Sequence, residues 1–296
     1  MKKLISKYVR LLVPHFILVK LFPGKFKKNI FNKFINIKDS IANKSFKMYV
    51  RQDFYIEKVI FSSGLYGNFE KESLKIWAQL SKRSQSILDI GANTGIYSML
   101  AQNNNPNSKV IAIEPVDYNF DILSKNILKN NFPIIAEKIA LSNQEGTAKM
   151  FMLKDRLNYM TSVNDDRYAL HPEIQGNNEV VEIEVPIKPF SYIYDKHHLE
   201  KIDLIKIDVE GHEISVLKGM LPYLEKYKPA IIIEIIGDEN AEVLNTMFKK
   251  LEYEFISIDE VNISVVVDKL WDNDHHNFLL CNKSTLTFLQ SINLVK

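Results

Sequence analysis

The fold is decided by the stretch Ile87-Leu88-Asp89-Ile90-Gly91-Ala92-Asn93-Thr94-Gly95. The apolar run from Ile87 to Ile90 is interrupted only by Asp89 and predicts a buried strand. Two glycines then turn the chain into an apparent helix that begins at Ile96. A strand that leads through a glycine turn into a helix is how open α/β sheets form a nucleotide-type pocket.

Asp89 indicates which kind of ligand this turn suits. A pyrophosphate cradle presents bare backbone N–H groups to an anion, and the third glycine of the pattern G-x-G-x-x-G is absent here. A carboxylate in the turn would repel a phosphate, whereas it would attract a cationic group such as the ammonium of a methionine-type ligand. The turn therefore favours S-adenosylmethionine over NAD.

The composition is that of a globular protein with an uneven charge distribution. Of 296 residues, 46% are hydrophobic and 25% are charged, which is typical of a soluble protein with a sizeable core. Residues 1–50 carry twelve Lys/Arg and a single acid, Asp39, whereas acids exceed bases in the rest of the chain. This asymmetry predicts a basic N-terminal extension over residues 1–50 and a second unit over residues 51–296.

The extension is predicted to be helical, because apolar residues at positions 4, 5, 8, 11 and 12 follow helical spacing. Two interpretations stay open. Residues 1–36 could rest on anionic lipid as an interfacial helix, or they could cover the edge of the core or a partner protein. The absence of an apolar run of 18 residues and of a signal-peptide cleavage site predicts a cytoplasmic protein, peripheral at the inner face of a membrane under the first interpretation.

Strand and helix patterns alternate in the second unit. Strands are expected at 87–90, 109–114, 134–141, 203–208, 230–236, 254–258 and 277–282, and helices at 94–104, 117–130, 213–226 and 239–250. The alternation predicts a doubly wound α/β fold with a seven-stranded, mostly parallel sheet, whose last two strands could pair antiparallel. Residues 147–153 and 180–185 are predicted as two further strands around a polar stretch, 155–178, which is expected to help cover the substrate.

Two residue types outside the main motifs have ordinary interpretations. The single cysteine, Cys281, excludes a disulfide framework within one chain and a multi-cysteine metal site, and it predicts a buried strand thiol in a reducing compartment. His275 and His276 are predicted to be solvated loop residues rather than catalytic ones. At most one of them could enter the pocket, since adjacent strand residues point to opposite faces.

Glu114 is the first candidate site residue beyond the glycine turn. It ends the second apolar strand and lies 19 residues after Gly95, about where an acid hydrogen-bonds a ribose hydroxyl in nucleotide-binding βαβ units. We interpret it as a ribose ligand rather than as an ordinary carboxylate at a strand end.

A second group of acids follows the strand 204–207. That strand delivers Asp208 to its carboxyl end, where open sheets place their ligands, and Glu210 and His212 follow across a glycine turn. Glu213 begins the next helix, where the helix dipole alone explains an acid. Helix capping does not require Asp208, Glu210 and His212 as well, so these three residues need another explanation.

Glu234 interrupts the apolar run 230–236, where a carboxylate is costly without a partner. Asp208 and Glu234 lie on neighbouring predicted strands and could face one pocket. They could bind a divalent cation as a pair of metal ligands, or one of them could activate a hydroxyl as a base. Asp208 is our first candidate for either role, Glu234 the second, and His212 a third candidate for the base.

These motifs resemble the FkbM-type methyltransferases. The matching segments are 89–95, 113–115, 206–213 with 216–219, 233–234 and 277–279, and the resemblance extends from about residue 66 to residue 282. It implies a class I S-adenosylmethionine-dependent fold and O-methylation, commonly of sugar hydroxyls in glycans or secondary metabolites. It also implies that Gly91 and Gly95 let the backbone approach the cofactor, while Asp89 and Asn93 hold its amino-acid portion.

One segment departs from that family. It often has Thr-Leu-Asp before the strand that leads to Asp208, whereas this chain reads Pro189-Phe190-Ser191. A role of that missing Asp in holding substrate or metal is therefore in doubt here.

The function predicted from these patterns is S-adenosylmethionine-dependent O-methylation of a small-molecule or glycan acceptor, on a sugar hydroxyl of a bacterial glycan or glycosylated metabolite. One alternative is a nicotinamide-dependent oxidoreductase, which Asp89 and the missing third glycine disfavour. Another is a non-catalytic binding protein with a degenerate site. Methylation of nucleic acid is disfavoured because the second unit is acidic.

Overall fold

The protein is described by a computed structural model that covers residues 31–51, 55–153, 180–272 and 276–296. Its strands are β1 (Lys33–Asp39), β2 (Lys44–Val50), β3 (Ser86–Ile90), β4 (Lys109–Ile113), β5 (Ile135–Glu137), β6 (Ala140–Ser142), β7 (Gly146–Leu153), β8 (Val180–Pro189), β9 (Leu204–Ile207), β10 (Ala230–Glu234), β11 (Glu254–Ser257), β12 (Val265–Val267) and β13 (Asn277–Cys281). Its helices are α1 (Ile56–Ser63), α2 (Lys71–Ser81), α3 (Ile96–Asn104), α4 (Asp117–Asn130), α5 (Phe190–Lys196), α6 (Glu213–Tyr227), α7 (Asp238–Lys250) and α8 (Lys283–Ser291).

The main sheet confirms the predicted doubly wound α/β architecture. Its strand order is β12-β11-β13-β10-β9-β3-β4-β5, and the five strands from β10 to β5 are parallel. β13 runs antiparallel between β10 and β11, which confirms the antiparallel pairing predicted for the last two strands. The seven expected strands are all present, and β12 adds a short eighth strand at one edge.

The expected strand over residues 134–141 is divided between two sheets. β5 pairs with β4 in the main sheet, whereas β6 pairs with β8 in a separate three-stranded sheet with β7. The two strands predicted around the polar stretch are thus an antiparallel pair. The polar stretch itself, 155–178, lies outside the described residues.

The central strands are apolar along their length because both faces of the main sheet are covered. In β3, Ile87 packs into the apolar cluster on one face, whereas Leu88 and Ile90 pack into the cluster on the other face. All five residues of this strand are buried. This double burial explains why the pattern is a continuous apolar run rather than an alternation.

Residues 33–50 form a β-hairpin, so the basic extension is not helical over this part. β1 and β2 pair antiparallel, and Ile35, Ile37, Phe46, Met48 and Val50 are buried in the same apolar cluster as Ile87. The period of two in these residues is that of a strand with one buried face. We propose that the packed domain includes this hairpin. The helical spacing at positions 4 to 12 lies outside the described residues.

The hairpin is joined to the rest of the domain by polar contacts as well. The backbone N–H groups of Lys47 and Tyr49 donate to the side-chain oxygens of Asn130 and Asn126 on α4, at 2.7 and 2.8 Å. Asp39 is buried and accepts hydrogen bonds from the side chains of Tyr66, Asn103 and Asn104. The one acid of the basic segment is therefore a structural residue.

Three further predictions can be compared with the structure. Cys281 is a buried free thiol on β13, as predicted. His276 is not solvated, since it is 8% exposed and its Nδ1 lies 3.0 Å from Asp272 Oδ1, while His275 lies outside the described residues. Within the described ranges, no helix has both the length and the apolar character needed to cross a membrane.

Candidate active site

A cavity lies at the carboxyl ends of β3, β4, β9 and β10. It is bounded by the glycine turn after β3, the loop after β9, and residues of α1, α3 and the segment before α2. The site residues predicted from sequence that line it are Asp89, Gly91, Asn93, Glu114, Asp208, His212 and Glu234. The topology thus brings together candidates that are up to 145 residues apart in the chain.

Gly91 sets how closely the strand ends approach one another. Its backbone N–H donates to the carbonyl of Ile113 at 2.9 Å, and the N–H of Asp208 donates to the carbonyl of Ile90 at 3.0 Å. With φ at +81°, a Cβ on Gly91 would lie 1.9 Å from the carbonyl oxygen of Asp208. Glycine is required here because the loop after β9 occupies the space of a side chain.

Gly95 has a different reason to be glycine. It lies at the start of α3 with φ at +93°, and a Cβ there would lie 2.5 Å from Cδ1 of Leu123 on α4. It does not line the cavity. The structure therefore gives Gly95 a role in helix packing, and direct approach of its backbone to a cofactor stays a prediction.

Asp89 is the last but one residue of β3 rather than part of the turn, which corrects its predicted place. It is 1% exposed, and its Oδ2 accepts a hydrogen bond from Ser98 Oγ at 2.5 Å. Burial raises the pKa of Asp89 to about 6, although Ser98 and the nearby Lys206 act in the opposite direction. A cation in the cavity would favour the ionised form further.

Glu114 is held in place by two loops. Its Oε2 accepts the backbone N–H of Asn93 at 2.9 Å, and its Oε1 accepts that of Val116 at 3.0 Å. Burial raises the pKa of Glu114 to about 7. Oε1 also accepts the side-chain N–H of Asn119 at 3.4 Å, whereas Oε2 can accept a second hydrogen bond, so the group can also accept a hydroxyl donor, as ribose binding requires.

Three carboxylates meet where β9 and β10 end. One oxygen from each of Asp208, Glu210 and Glu234 lies within 4.8 Å of the others. Glu210, which the sequence marked as more than a capping residue, thus belongs to the same cluster as the two predicted catalytic acids. Glu213 differs, because its Oε1 accepts the N–H groups of Gly211 and Val209 and so closes its own turn.

Lys206 is a site residue that sequence reasoning did not assign. Its side chain is 2% exposed, and its Nζ lies 3.5 Å from Asp208 Oδ2 and 3.4 Å from Asn277 Oδ1. Burial alone would lower the pKa of Lys206, but the carboxylates of Asp208, Glu70 and Asp89 outweigh burial and raise it. Lys206 therefore carries a buried positive charge at neutral pH.

Two further residues complete this wall of the cavity. The ring of Tyr97 on α3 lies 5.3 Å from Lys206 Nζ, and its hydroxyl donates to Glu70 Oε2 at 2.6 Å. Glu70 has a positive φ of +37°, which is rare for a residue with a side chain.

His212 lies on another side of the cavity with its Nε2 3.1 Å from Ser142 Oγ, and burial lowers its pKa.

Buried acids with raised pKa values, namely Asp89, Glu114 and Glu260, make the stability of the fold depend on pH. Burial raises the pKa of Glu260 to about 7, where its carboxylate accepts the N–H groups of Glu72 and Ser73 at the start of α2. Between about pH 4.5 and 7 the folded state then holds protons that the unfolded state has lost, so these groups lower the free energy of unfolding as pH rises. Urea denaturation from about pH 5 to about pH 7.5 should show a smaller decrease for Glu260→Gln than for wild type.

The exposed Glu200→Gln is the matched control for that experiment and should follow the wild type. If Glu260→Gln and wild type change identically with pH, Glu260 does not hold a proton in the folded state.

Comparison with known proteins matches this site to one family. The sequence model described as the methyltransferase FkbM domain matches residues 89–255, which include Asp89, Glu114, Asp208 and Glu234. Methyltransferase sdnD of Sordaria araneosa is 30% identical over 154 residues, which cover 45% of this chain and 60% of that protein. The hexuronic acid methyltransferase AglP of Haloferax volcanii is 25% identical over 166 residues, which cover 56% of this chain and 62% of that protein.

The 31-O-demethyl-FK506 methyltransferase FkbM of Streptomyces tacrolimicus is 24% identical over 160 residues, covering 45% of this chain and 58% of that protein. The chain thus spans about three fifths of the length of these relatives. Among solved structures, a methyltransferase FkbM from Methylobacillus flagellatus aligns with a TM-score of 0.42 and 16% identity, over 67% of this chain and 43% of that chain.

Proposed function

Because the chain belongs to the FkbM methyltransferase family, we propose that it uses S-adenosylmethionine to methylate a sugar hydroxyl of a bacterial glycan or glycosylated metabolite. The observation that carries the proposal is the charge of the cavity. Among the described residues that line it, seven are carboxylic acids and Lys206 is the single lysine or arginine. Such a cavity attracts a cationic ligand and repels the pyrophosphate of a nicotinamide cofactor.

The residues present fit this cofactor. Gly91 lets the loop after β9 approach the turn, and Asp89 and Asn93 would hold the amino-acid portion, while Glu114 would accept a ribose hydroxyl. When bound, S-adenosylmethionine supplies an activated methyl group on a sulfonium. The protein then has to orient an acceptor hydroxyl and remove its proton.

We assign proton removal to Asp208. Its Oδ2 lies 3.5 Å from Lys206 Nζ, which holds the carboxylate in one orientation. Glu234 and Glu210 surround the same point with further negative charge, which favours proton transfer from a neutral hydroxyl. Glu234 is the second candidate for the base, and His212 the third, because its ring faces Ser142.

A divalent cation would also find suitable ligands in this cluster, since Mg²⁺ takes carboxylate oxygens. Lys206 already places a positive charge 3.5 Å from Asp208 Oδ2, however, and a second cation at Asp208 would be repelled by it. We therefore assign Asp208 as the base rather than as a metal ligand, and we expect activity to persist in EDTA.

The same charges favour an uncharged acceptor. Glu70, Asp208, Glu210 and Glu234 would repel a carboxylate or phosphate close to the reacting hydroxyl, whereas they can accept hydrogen bonds from neighbouring sugar hydroxyls. This proposal differs from the printed substrate of the Haloferax volcanii relative, which is a hexuronic acid. A neutral sugar is the acceptor that we propose.

Calorimetry with S-adenosylhomocysteine tests the assignment of the cofactor residues. At about pH 8, above the raised pKa values of both groups, Asp89→Asn and Glu114→Gln each remove one charge while keeping the shape of the side chain, so each should weaken binding by about 10- to 150-fold. Glu200→Gln, which is exposed, is the control. Unchanged affinity of Asp89→Asn would contradict our interpretation of the glycine turn.

A further inference from the structure

The outer side of the hairpin and the adjoining surface of α4 form one continuous basic face. We use this term for the residues Phe34, Lys38, Lys47, Tyr49, Lys125, Leu128 and Lys129. The four lysines are exposed, and Leu128 is 74% exposed. On α4, Lys125, Leu128 and Lys129 have the spacing that places side chains on the same side of a helix. Asp121, one turn before Lys125, is an exposed acid beside them.

Aromatic rings fix the geometry of this basic face. The rings of Phe34 and Tyr49 pack edge to face with centroids 5.1 Å apart. Lys129 Nζ lies 5.2 Å from the centroid of Phe34, and Lys125 Nζ lies 5.5 Å from that of Tyr49. Together with the hydrogen bonds from β2 to Asn126 and Asn130, these contacts hold the lysines of α4 and the hairpin in one surface.

We propose that the basic face binds an anionic lipid surface. Surface binding of this kind combines lysines, which are attracted to anionic headgroups, with an apolar side chain that enters the boundary with the acyl chains. The basic face supplies both through its lysines and Leu128. The sequence that leads directly into β1 continues the charge, because residues 1–30 contain eight Lys/Arg and no acid. The proposal does not depend on the methyltransferase activity.

Lipid fits these residues better than nucleic acid does. Proteins that bind single strands use open aromatic faces on which bases stack. Here the faces of Phe34 and Tyr49 are occupied by lysines. Leu128 would find no partner on a phosphate backbone, whereas a lipid interface removes it from water.

Vesicle flotation of the full chain tests the proposal. Wild type should float with phosphatidylcholine vesicles that contain phosphatidylglycerol and not with phosphatidylcholine alone. Each lysine near such a surface contributes about fivefold in affinity, so Lys125→Gln with Lys129→Gln should weaken binding by about 25-fold. Leu128→Asn should weaken it by roughly a few-fold without affecting folding, because the side chain is already in water.

The matched control is Lys218→Gln with Lys249→Gln, two exposed lysines on α6 and α7, which should float like the wild type. Equal flotation of the two double variants would overturn the proposal. So would equal flotation of wild type with and without phosphatidylglycerol, or no flotation of the wild type, whether or not it binds single-stranded DNA.

Discussion

Asp208→Asn is expected to lower kcat by about 10²- to 10⁴-fold, because the amide cannot accept the proton of the acceptor hydroxyl. Affinity for S-adenosylhomocysteine should change by no more than roughly a few-fold, since the variant keeps the shape of the side chain and its distance from Lys206. The measurement is single-turnover transfer of labelled methyl groups to an acceptor that the wild type methylates, together with calorimetry of the cofactor product.

Two further variants locate the base within the cluster. Glu234→Gln should reduce kcat by less than Asp208→Asn does, because Glu234 contributes charge rather than the proton acceptor in our assignment. Asp195→Asn, an exposed acid on α5, is the control and should retain full activity. If Asp208→Asn remains active while Glu234→Gln is inactive, the base is Glu234 and our assignment is wrong.

Gly91→Ala is expected to have the largest effect on stability. The new Cβ would lie 1.9 Å from the carbonyl oxygen of Asp208, and the φ of +81° is unfavourable for alanine. The clashing atom belongs to the backbone directly after β9, and the N–H of the same residue is hydrogen-bonded to the carbonyl of Ile90, so neither partner can move away without disrupting β3 or β9. We expect a loss of roughly 4 kcal/mol or more, seen as insoluble expression or as a large decrease in the urea midpoint.

Alanine variants of two other glycines measure the two effects in Gly91→Ala, the steric clash and the strain of a positive φ, one at a time. Gly211 has φ at +104° with nothing within 4 Å, so Gly211→Ala carries the strain alone, about 1–2 kcal/mol. Gly219 lies inside α6, and its Cβ would lie 2.3 Å from the carbonyl oxygen of Ser142, so Gly219→Ala carries the clash alone. Gly91→Ala should lower the free energy of unfolding clearly more than Gly211→Ala does. Equal stability of these two variants would show that the loop after β9 can retreat from the turn.

Much of the site could be predicted because parallel strands place their carboxyl ends at one edge of a sheet. Asp89, Glu114 and Asp208 each lie at or near the end of an apolar run, and β3, β4 and β9 are neighbours in the sheet. Glu234 was identified by its cost within an apolar strand. Strand period and residue type therefore sufficed for these positions, without knowledge of distant contacts.

The same cost argument could have identified Lys206, which interrupts the buried strand β9 as Glu234 interrupts β10. Glu70 could not be found in this way. Its place in the cavity depends on how the segment before α2 packs against Tyr97 of α3, a contact between residues 27 apart in sequence. Periodicity carries no information about such a contact.

The hairpin was not predicted, because residues 1–50 were interpreted by their charge and not by the two-residue period of their apolar side chains. Residues 1–50 are conspicuous for their lysines, yet Ile35 and Ile37 alternate with polar residues in the pattern of a half-buried strand. The other positions of that alternation include the half-buried Phe34 and the exposed Lys38, which belong to the basic face. Reading the two signals together would have predicted both the hairpin and its exposed charges.

The central claim is that this acid-rich cavity binds S-adenosylmethionine. Calorimetric titration of the wild-type chain with S-adenosylmethionine and, separately, with NAD tests it most directly. We predict saturable binding of one S-adenosylmethionine per chain and no detectable heat with NAD. Binding of NAD without binding of S-adenosylmethionine would contradict the account.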